Sequence, residues 1–231
     1  MSLYAIADLH LSLSVGENKK MDIFPDWEDY ISRIEKNWNR VVDSKDTVVI
    51  AGDISWAMSL AVAFKDFDFL NKLYGKKILI KGNHDYWWSS KNKINNYLME
   101  NNFFTISVIH NSTKISENFA ICGTRGWLLE SKEEKDFKIL SREVCRLEES
   151  IKLGIKTGLE PIVFLHYPPV YDTFECKEII DVLIRNKIKK CYYGHLHGKQ
   201  FTRKAKVGIY KGINFKLISA DYLNFTPVLV E

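Results

Sequence analysis

The chain has 231 residues, 46% hydrophobic and 27% charged, with a formal net charge of +4, which fits one globular domain over 1–231 with a substantial core. No apolar run reaches the roughly 18 residues that a membrane-spanning helix needs. The start, MSLYAIADLHLS, lacks the basic, apolar and small-residue regions of a signal peptide, so a cytoplasmic location is expected.

In chain order, apolar runs predict strands at 3–7, 47–51, 77–81, 119–123, 161–165 and 190–193. Three more, at 206–210, 215–219 and 226–230, follow without an intervening helix. Helical spacing of apolar residues covers 26–42, with Trp27, Ile31, Ile34, Trp38 and Val41 on one face and Pro25 and Asp26 as start signals. It recurs at 59–73 and 91–99, at 133–153 with Ile139, Val144, Leu147 and Ile151, and at 175–185. Strands and helices alternate through the first hundred residues, and strands dominate the last forty. This order predicts two packed mixed sheets with helices on the outer faces. The polar stretch 129–136 is expected to be a surface connection. The stretch 12–25 is long and structureless for a compact domain, and beside a site such a loop reads as a lid.

Five of the predicted strands end in side chains that favour metals. YAIADLH carries Asp8 and His10, VVIAGD carries Asp53, and ILIKGNHD carries Asn83, His84 and Asp85. IVFLH ends in His166, and YYGHLHG holds His195 and His197. Five of the six histidines are in these places, and His110 is left as structural. Ligands of open α/β sheets gather at the carboxyl ends of strands. Asp8 and His10 are two apart, so on a strand they point the same way, and His195 and His197 repeat that spacing. The Asp53 carboxylate has two oxygens and is suited to bridging two ions. Gly52, Gly82 and Gly194 precede motif residues and fit close backbone approach at sharp turns. Each histidine alone reads more readily as a hydrogen-bonded core residue. The ordered set of five motifs is what carries the metal reading.

The order DxH, GD, GNHD, H and GHxH, spread over Asp8 to Gly198, resembles the signature of calcineurin-like metallophosphoesterases. The resemblance implies an α/β fold of four layers, α/β/β/α, with two mixed sheets face to face and helices outside. It implies a two-metal phosphoester hydrolase, either a phosphomonoesterase or a phosphodiesterase. Asp8, His10, Asp53 and His197 are implied to hold one metal, and Asp53, Asn83, His166 and His195 the other. His84 is implied to stand beside the leaving group. After Asp53 the chain reads Ile54-Ser55-Trp56-Ala57, so it lacks the Asp-Arg pair of the protein Ser/Thr phosphatase branch. It looks more like the family's small bacterial phosphohydrolases. In place of the missing carboxylate, Asp85 either orients His84 or caps the segment that follows.

Phosphate esters require very large rate enhancements, and two closely spaced cations answer that need. The expected chemistry is in-line attack by a metal-bridging hydroxide, with His84 protonating or stabilising the departing oxygen. A His/Asp/Asn shell without thiolate suits two divalent transition-metal ions, Mn, Fe or Zn, better than magnesium. Arg125 either holds a substrate phosphate or makes an ordinary surface ion pair. Trp56, Trp87, Trp88 and Trp127 either wall the substrate or pack the core.

The four cysteines, Cys122, Cys145, Cys176 and Cys191, form no CxxC pair and are expected to be buried reduced thiols. Between Val182 and Ala220 there are ten basic and no acidic residues. They serve either a polyanionic ligand or solvated strand faces. A small phosphorylated substrate is the expected partner. A nuclease acting on polynucleotides is the alternative, and its activity would depend strongly on salt. A non-catalytic protein-binding scaffold is a third reading. Family members of that kind lose metal ligands or the leaving-group histidine, and all of these are present here.

Overall fold

The structure, a computed structural model, describes residues 1–116, 118–127 and 134–231. Its first half is a run of strand–helix units: β1 (Leu3–Ile6), α1 (Tyr30–Val41), β2 (Thr47–Ala51), α2 (Phe64–Lys72), β3 (Lys76–Ile80), α3 (Lys91–Glu100) and β4 (Ile106–Val108). Next come β5 (Lys114–Ser116), β6 (Phe119–Thr124), α4 (Glu134–Ile155) and β7 (Glu160–Leu165). The short hairpin β8 (Val170–Tyr171) and β9 (Phe174–Glu175) leads to α5 (Lys177–Arg185) and β10 (Lys190–Tyr193). The chain closes with α6 (Lys199–Thr202), β11 (Gly208–Tyr210), β12 (Ile213–Leu217) and β13 (Val228–Leu229).

Two large sheets result. One has the order β13-β1-β2-β3-β4 and is parallel except for β13; the other has the order β11-β12-β10-β7-β6-β5 and is antiparallel only at its two edges. The parallel strands are apolar on both faces, because successive side chains point to opposite sides and both sides are covered. In β2, Val49 and Ala51 pack in the seam between the sheets, while Val48 and Ile50 pack under the helices. In β7, Ile162 and Phe164 enter the same seam, and Val163 and Leu165 lie on the face that carries Leu147 and Ile151 of α4 and Ile180 and Leu183 of α5. Ile34 and Trp38 of α1, Phe67 and Leu70 of α2 and Ile94 of α3 cover the first sheet. The four-layer α/β/β/α arrangement expected from the sequence is therefore present, and the carboxyl ends of β1, β2, β3, β7 and β10 converge on one edge of the seam.

Several local expectations are corrected. The first helix begins at Tyr30, not at Asp26, because Asp26 and Asp29 are both left-handed, with φ of 73° and 50°. Trp27 therefore precedes the helix, and its ring packs on His10, His197, Tyr30 and Phe225. The stretch 12–25 is not structureless; it contains two 3-10 turns, Gly16–Lys19 and Met21–Ile23. Strands β4 and β5 were not anticipated, being three residues each. The stretch 129–136 lies largely outside the described residues. Cys122, Cys176 and Cys191 are buried, but Cys145 is exposed on α4; all four are free.

Candidate metal centre

The pair Asp8 and His10 does not lie on a strand. β1 ends at Ile6, and both residues follow it in left-handed conformations, with φ of 62° and 46°. Asp53 and His195 are left-handed too, at 50° and 73°. Such backbone is uncommon for residues with a side chain, and it clusters at functional sites where surrounding contacts fix it. Here the Asp8 N–H donates to Gly52 O and the His10 N–H to Asp53 O, each at 2.9 Å. Two loops that follow adjacent parallel strands are thus stitched together.

Seven polar side chains meet at this edge. Asp8, His10 and His197 offer ligand atoms within 4.8 Å of one another, and so do Asp53, His166 and His195. His10 Nε2 lies 3.1 Å from His197 Nε2. His195 Nδ1 lies 3.3 Å from His166 Nε2, and Asn83 Oδ1 sits against both, at 3.0 and 2.6 Å. Asp53 stands between the groups, its Oδ2 3.8 Å from His10 Nε2 and 3.5 Å from His166 Nε2. Asp8 Oδ2 accepts the His195 N–H at 2.9 Å, whereas Asp8 Oδ1 is buried with no hydrogen-bond partner among the described residues, His166 Nδ1 and His197 Nε2 each lying 3.5 Å away. Gly82 and Gly194 allow this convergence. A Cβ on Gly194 would fall 2.5 Å from Asp8 Oδ2, and one on Gly82 would collide with Asp53 N and Oδ1.

The electrostatics suit a cation. Burial, with further positive neighbours, lowers the pKa of His10, His166 and His84, and takes His195 to about 3. These imidazoles are therefore neutral, with lone pairs available. The Ala51 carbonyl, 3.2 Å from His166 Nδ1, can only accept, so it keeps a proton there and turns the Nε2 lone pair inward. His197 is different: burial opposes its charge, but Asp8 and Asp221 together push its pKa up to about 10. Asp53 is raised by burial and by the Asp8 carboxylate, while Asp8, despite burial, is lowered by His197. A bare oxygen, converging imidazole nitrogens and two buried carboxylates form a donor set that fits divalent ions.

Two other sequence expectations resolve differently. Asp85 neither orients His84 nor caps a helix; Ser90 Oγ accepts from Lys93 N–H at the start of α3. The Asp85 carboxylate instead accepts from the backbone of Gly82 (2.7 Å), Ile54 (2.8 Å) and Ser55 (3.3 Å) and from Trp87 Nε1 (3.0 Å). It ties the Asp53 loop to the Asn83 loop. His84 donates its backbone N–H to Asp53 Oδ1 at 2.8 Å, and its buried Nδ1 has no hydrogen-bond partner among the described residues. Its ring lies against Trp56, 4.6 Å between centroids.

The four tryptophans divide. Trp56 stacks on His10 at 4.8 Å and belongs to the site, with Lys19 Nζ 5.1 Å from its ring. Trp87 is core, edge-on to Phe67. Trp88 donates to His110 Nδ1 at 3.3 Å, and Trp127 packs on Tyr167. Arg125 is not among the converging side chains. Its guanidinium lies over Trp127, with Nη2 3.8 Å from Glu143 Oε1. Only its carbonyl reaches the centre, accepting from the His166 and Tyr167 N–H groups.

Asp221 was missed by sequence reasoning. Its Oδ1 lies 3.2 Å from His197 Nδ1, and its Oδ2 accepts the Gly198 N–H at 2.7 Å. The signal was present, since the apolar run of β12 leads through Ser219 and Ala220 to this acid. Five cations of the basic segment, Arg185, Lys190, Lys199, Lys204 and Lys211, pair with acids elsewhere in the chain. No helix among the described residues is long and apolar enough to cross a membrane.

The family model of the calcineurin-like phosphoesterases matches residues 1–199. An uncharacterized protein of Methanocaldococcus jannaschii, MJ1445, is 30% identical over 128 residues, 55% of this chain and 66% of that protein. The chain thus matches slightly under two thirds of that relative's length. Among solved structures, AQ665 of Aquifex aeolicus, of unknown function, superposes with a TM-score of 0.56 at 16% identity over 99% of this chain and 95% of that one. The phosphopantetheinyl hydrolase PptH of Mycobacterium tuberculosis gives 0.55 at 14% identity, with the same coverage. At such identities the likeness concerns the fold.

Proposed function

The chain belongs to the calcineurin-like phosphoesterase family, which implies metal-dependent phosphoester hydrolysis, and from that premise we propose a two-metal hydrolase of small phosphomonoesters or phosphodiesters. The observation that carries this reading is the position of Asp53 Oδ2 between the Asp8–His10–His197 and Asp53–His166–His195 groups. In the proposal, Asp8, His10, Asp53 and His197 hold one ion, and Asp53, Asn83, His166 and His195 hold the other. Bound divalent ions, Mn, Fe or Zn by donor type, supply charge neutralisation of phosphoryl oxygens and a more acidic water.

The remaining work falls to the chain's own groups. Asp85 keeps the Asp53 and Asn83 loops in register. Asp221 holds a proton on His197 Nδ1, so that Nε2 faces Asp8 and His10. His84 stands at the rim. Its pKa is lowered by burial, so it meets the leaving oxygen as a neutral N–H donor. Trp56 confines that ring from one side. The segment 12–25 is proposed as a lid, because Lys19 reaches back over Trp56. A structural neighbour named as a phosphopantetheinyl hydrolase is in keeping with hydrolysis at such a site.

The test is turnover of paired chromogenic phosphomonoester and phosphodiester substrates with Mn²⁺, using wild type and Asp53→Asn. Wild-type turnover lost in Asp53→Asn supports the proposal, and the ratio of the two rates sets the ester class. Turnover that survives in Asp53→Asn contradicts it.

A further inference from the structure

Beside the metal centre, where β3 and β6 end, lies a second cavity that the proposed reaction does not use. It has a volume of about 110 Å³ and is walled by Lys81, Trp88, His110, Arg125, Glu143 and Arg146, among others. One water needs roughly 10–15 Å³ of such space, so a phosphate-sized group fits. Two guanidiniums, Arg125 and Arg146, and the Lys81 amine, whose pKa is lowered by burial and by Arg125, face one carboxylate there. That carboxylate is engaged: Glu143 is buried, accepts from the Thr124 hydroxyl, and takes Arg146 Nη1 at 2.7 Å. Arg125 Nη2 is 3.8 Å from Glu143 Oε1, beyond hydrogen-bond reach, and Arg125 Nε is buried with no acceptor among the described residues. Arg125 therefore keeps guanidinium donors that Glu143 does not take, and an oxyanion in the cavity is the group that pairs with a guanidinium in fork geometry.

The cavity is tied to the metal centre through the backbone. Lys81 stands two residues before Asn83, and the Arg125 carbonyl accepts the His166 N–H at 3.2 Å. We propose that this cavity is a second anion subsite, which takes a phosphate carried by the substrate away from the ester being cleaved. The inference rests on the hydrolase reading and narrows its substrate class to phosphoesters with a second phosphate.

The test uses Mn²⁺-loaded enzyme and a ruler of substrates: α,ω-alkanediol bisphosphates of increasing chain length, each beside its monophosphate. The expected result is a KM at least about tenfold lower for the bisphosphate at one chain length, as one charge-assisted contact would give. That preference falls to about one in Lys81→Gln and Arg146→Gln and persists in Lys81→Arg. Hydrolysis of both series without preference overturns the subsite and leaves the hydrolase reading standing, as does a preference that both Gln variants retain. If neither series is hydrolysed, the monoesterase form of the reading fails, and the diesterase form is judged by the chromogenic phosphodiester. The subsite is then judged by calorimetric binding of the bisphosphates: loss in Lys81→Gln upholds it, and no binding or equal binding overturns it.

Discussion

The backbone N–H of His84 donates to Asp53 Oδ1 at 2.8 Å, which leaves Asp53 Oδ2 facing His10 on one side and His166 on the other. One carboxylate therefore does two jobs. One oxygen anchors the loop that carries His84, and the other faces both groups of metal-liking side chains.

Replacing His84 by Ala removes its ring but keeps that backbone anchor. Turnover is expected to fall by roughly 10²–10⁴-fold, the usual worth of a general acid or hydrogen-bond donor, with metal content unchanged by atomic emission. Metal lost in step with activity would assign His84 to the metal shell instead.

Asp221→Ala takes the carboxylate away from His197 Nδ1. Metal affinity is expected to drop by about 10–100-fold, as for other carboxylates behind ligating histidines. Asp221→Asn keeps an acceptor there and should lose less. Equal affinity in wild type and both variants, read by competition with a chelating dye, would detach Asp221 from the site.

In the metal-free protein, Asp8 and Asp221 push the pKa of His197 up to about 10. The folded state therefore binds a proton that the unfolded state gives up above its ordinary value of about 6.5. This contribution to stability is complete below the ordinary value and is lost as pH rises through about 10. Ligation through Nε2 must expel the same proton, so metal affinity should rise with pH across this window by up to about tenfold per unit. Asp53, raised by burial and by Asp8, adds in the same direction. Calorimetric titration of Mn²⁺ at pH 7, in two buffers of different protonation enthalpy, should show release of about one proton or more per chain. Metal uptake with no proton release would contradict this charge assignment.

Asp85→Ala leaves three backbone N–H groups and the Trp87 indole N–H without their acceptor in a buried place. The expected cost is about 2–4 kcal/mol by chemical denaturation, with weaker metal binding because the Asp53 and Asn83 loops come apart. A change below about 0.5 kcal/mol, the range of neutral surface substitutions, would mean that other contacts hold those loops.

Much of this was legible in the chain because both cues are local. Strands covered on both faces appear as unbroken apolar runs, and the first hydrophilic residues after them mark the carboxyl ends. That placed Asp53, Asn83, His166, His195 and His197 at one edge. The same cue placed Asp8 and His10 there, but their shared direction comes from left-handed backbone beyond β1, not from strand alternation. The role of Asp85 was hidden because most of its partners are backbone N–H groups, two of them about thirty residues earlier. Asp221 lacks an adjacent histidine or glycine to draw notice. The late start of α1 depends on a left-handed Asp29, a conformation that no periodicity reports. Strands β4 and β5 are too short to establish a period of two.

The most direct test of the two-metal account is a titration of Mn²⁺ into metal-free protein, reading bound ions and phosphoester hydrolysis on the same samples. Saturation is expected at about two ions per chain, with hydrolysis appearing only as the second site fills. Saturation at one ion, or full hydrolysis with one bound, would contradict it.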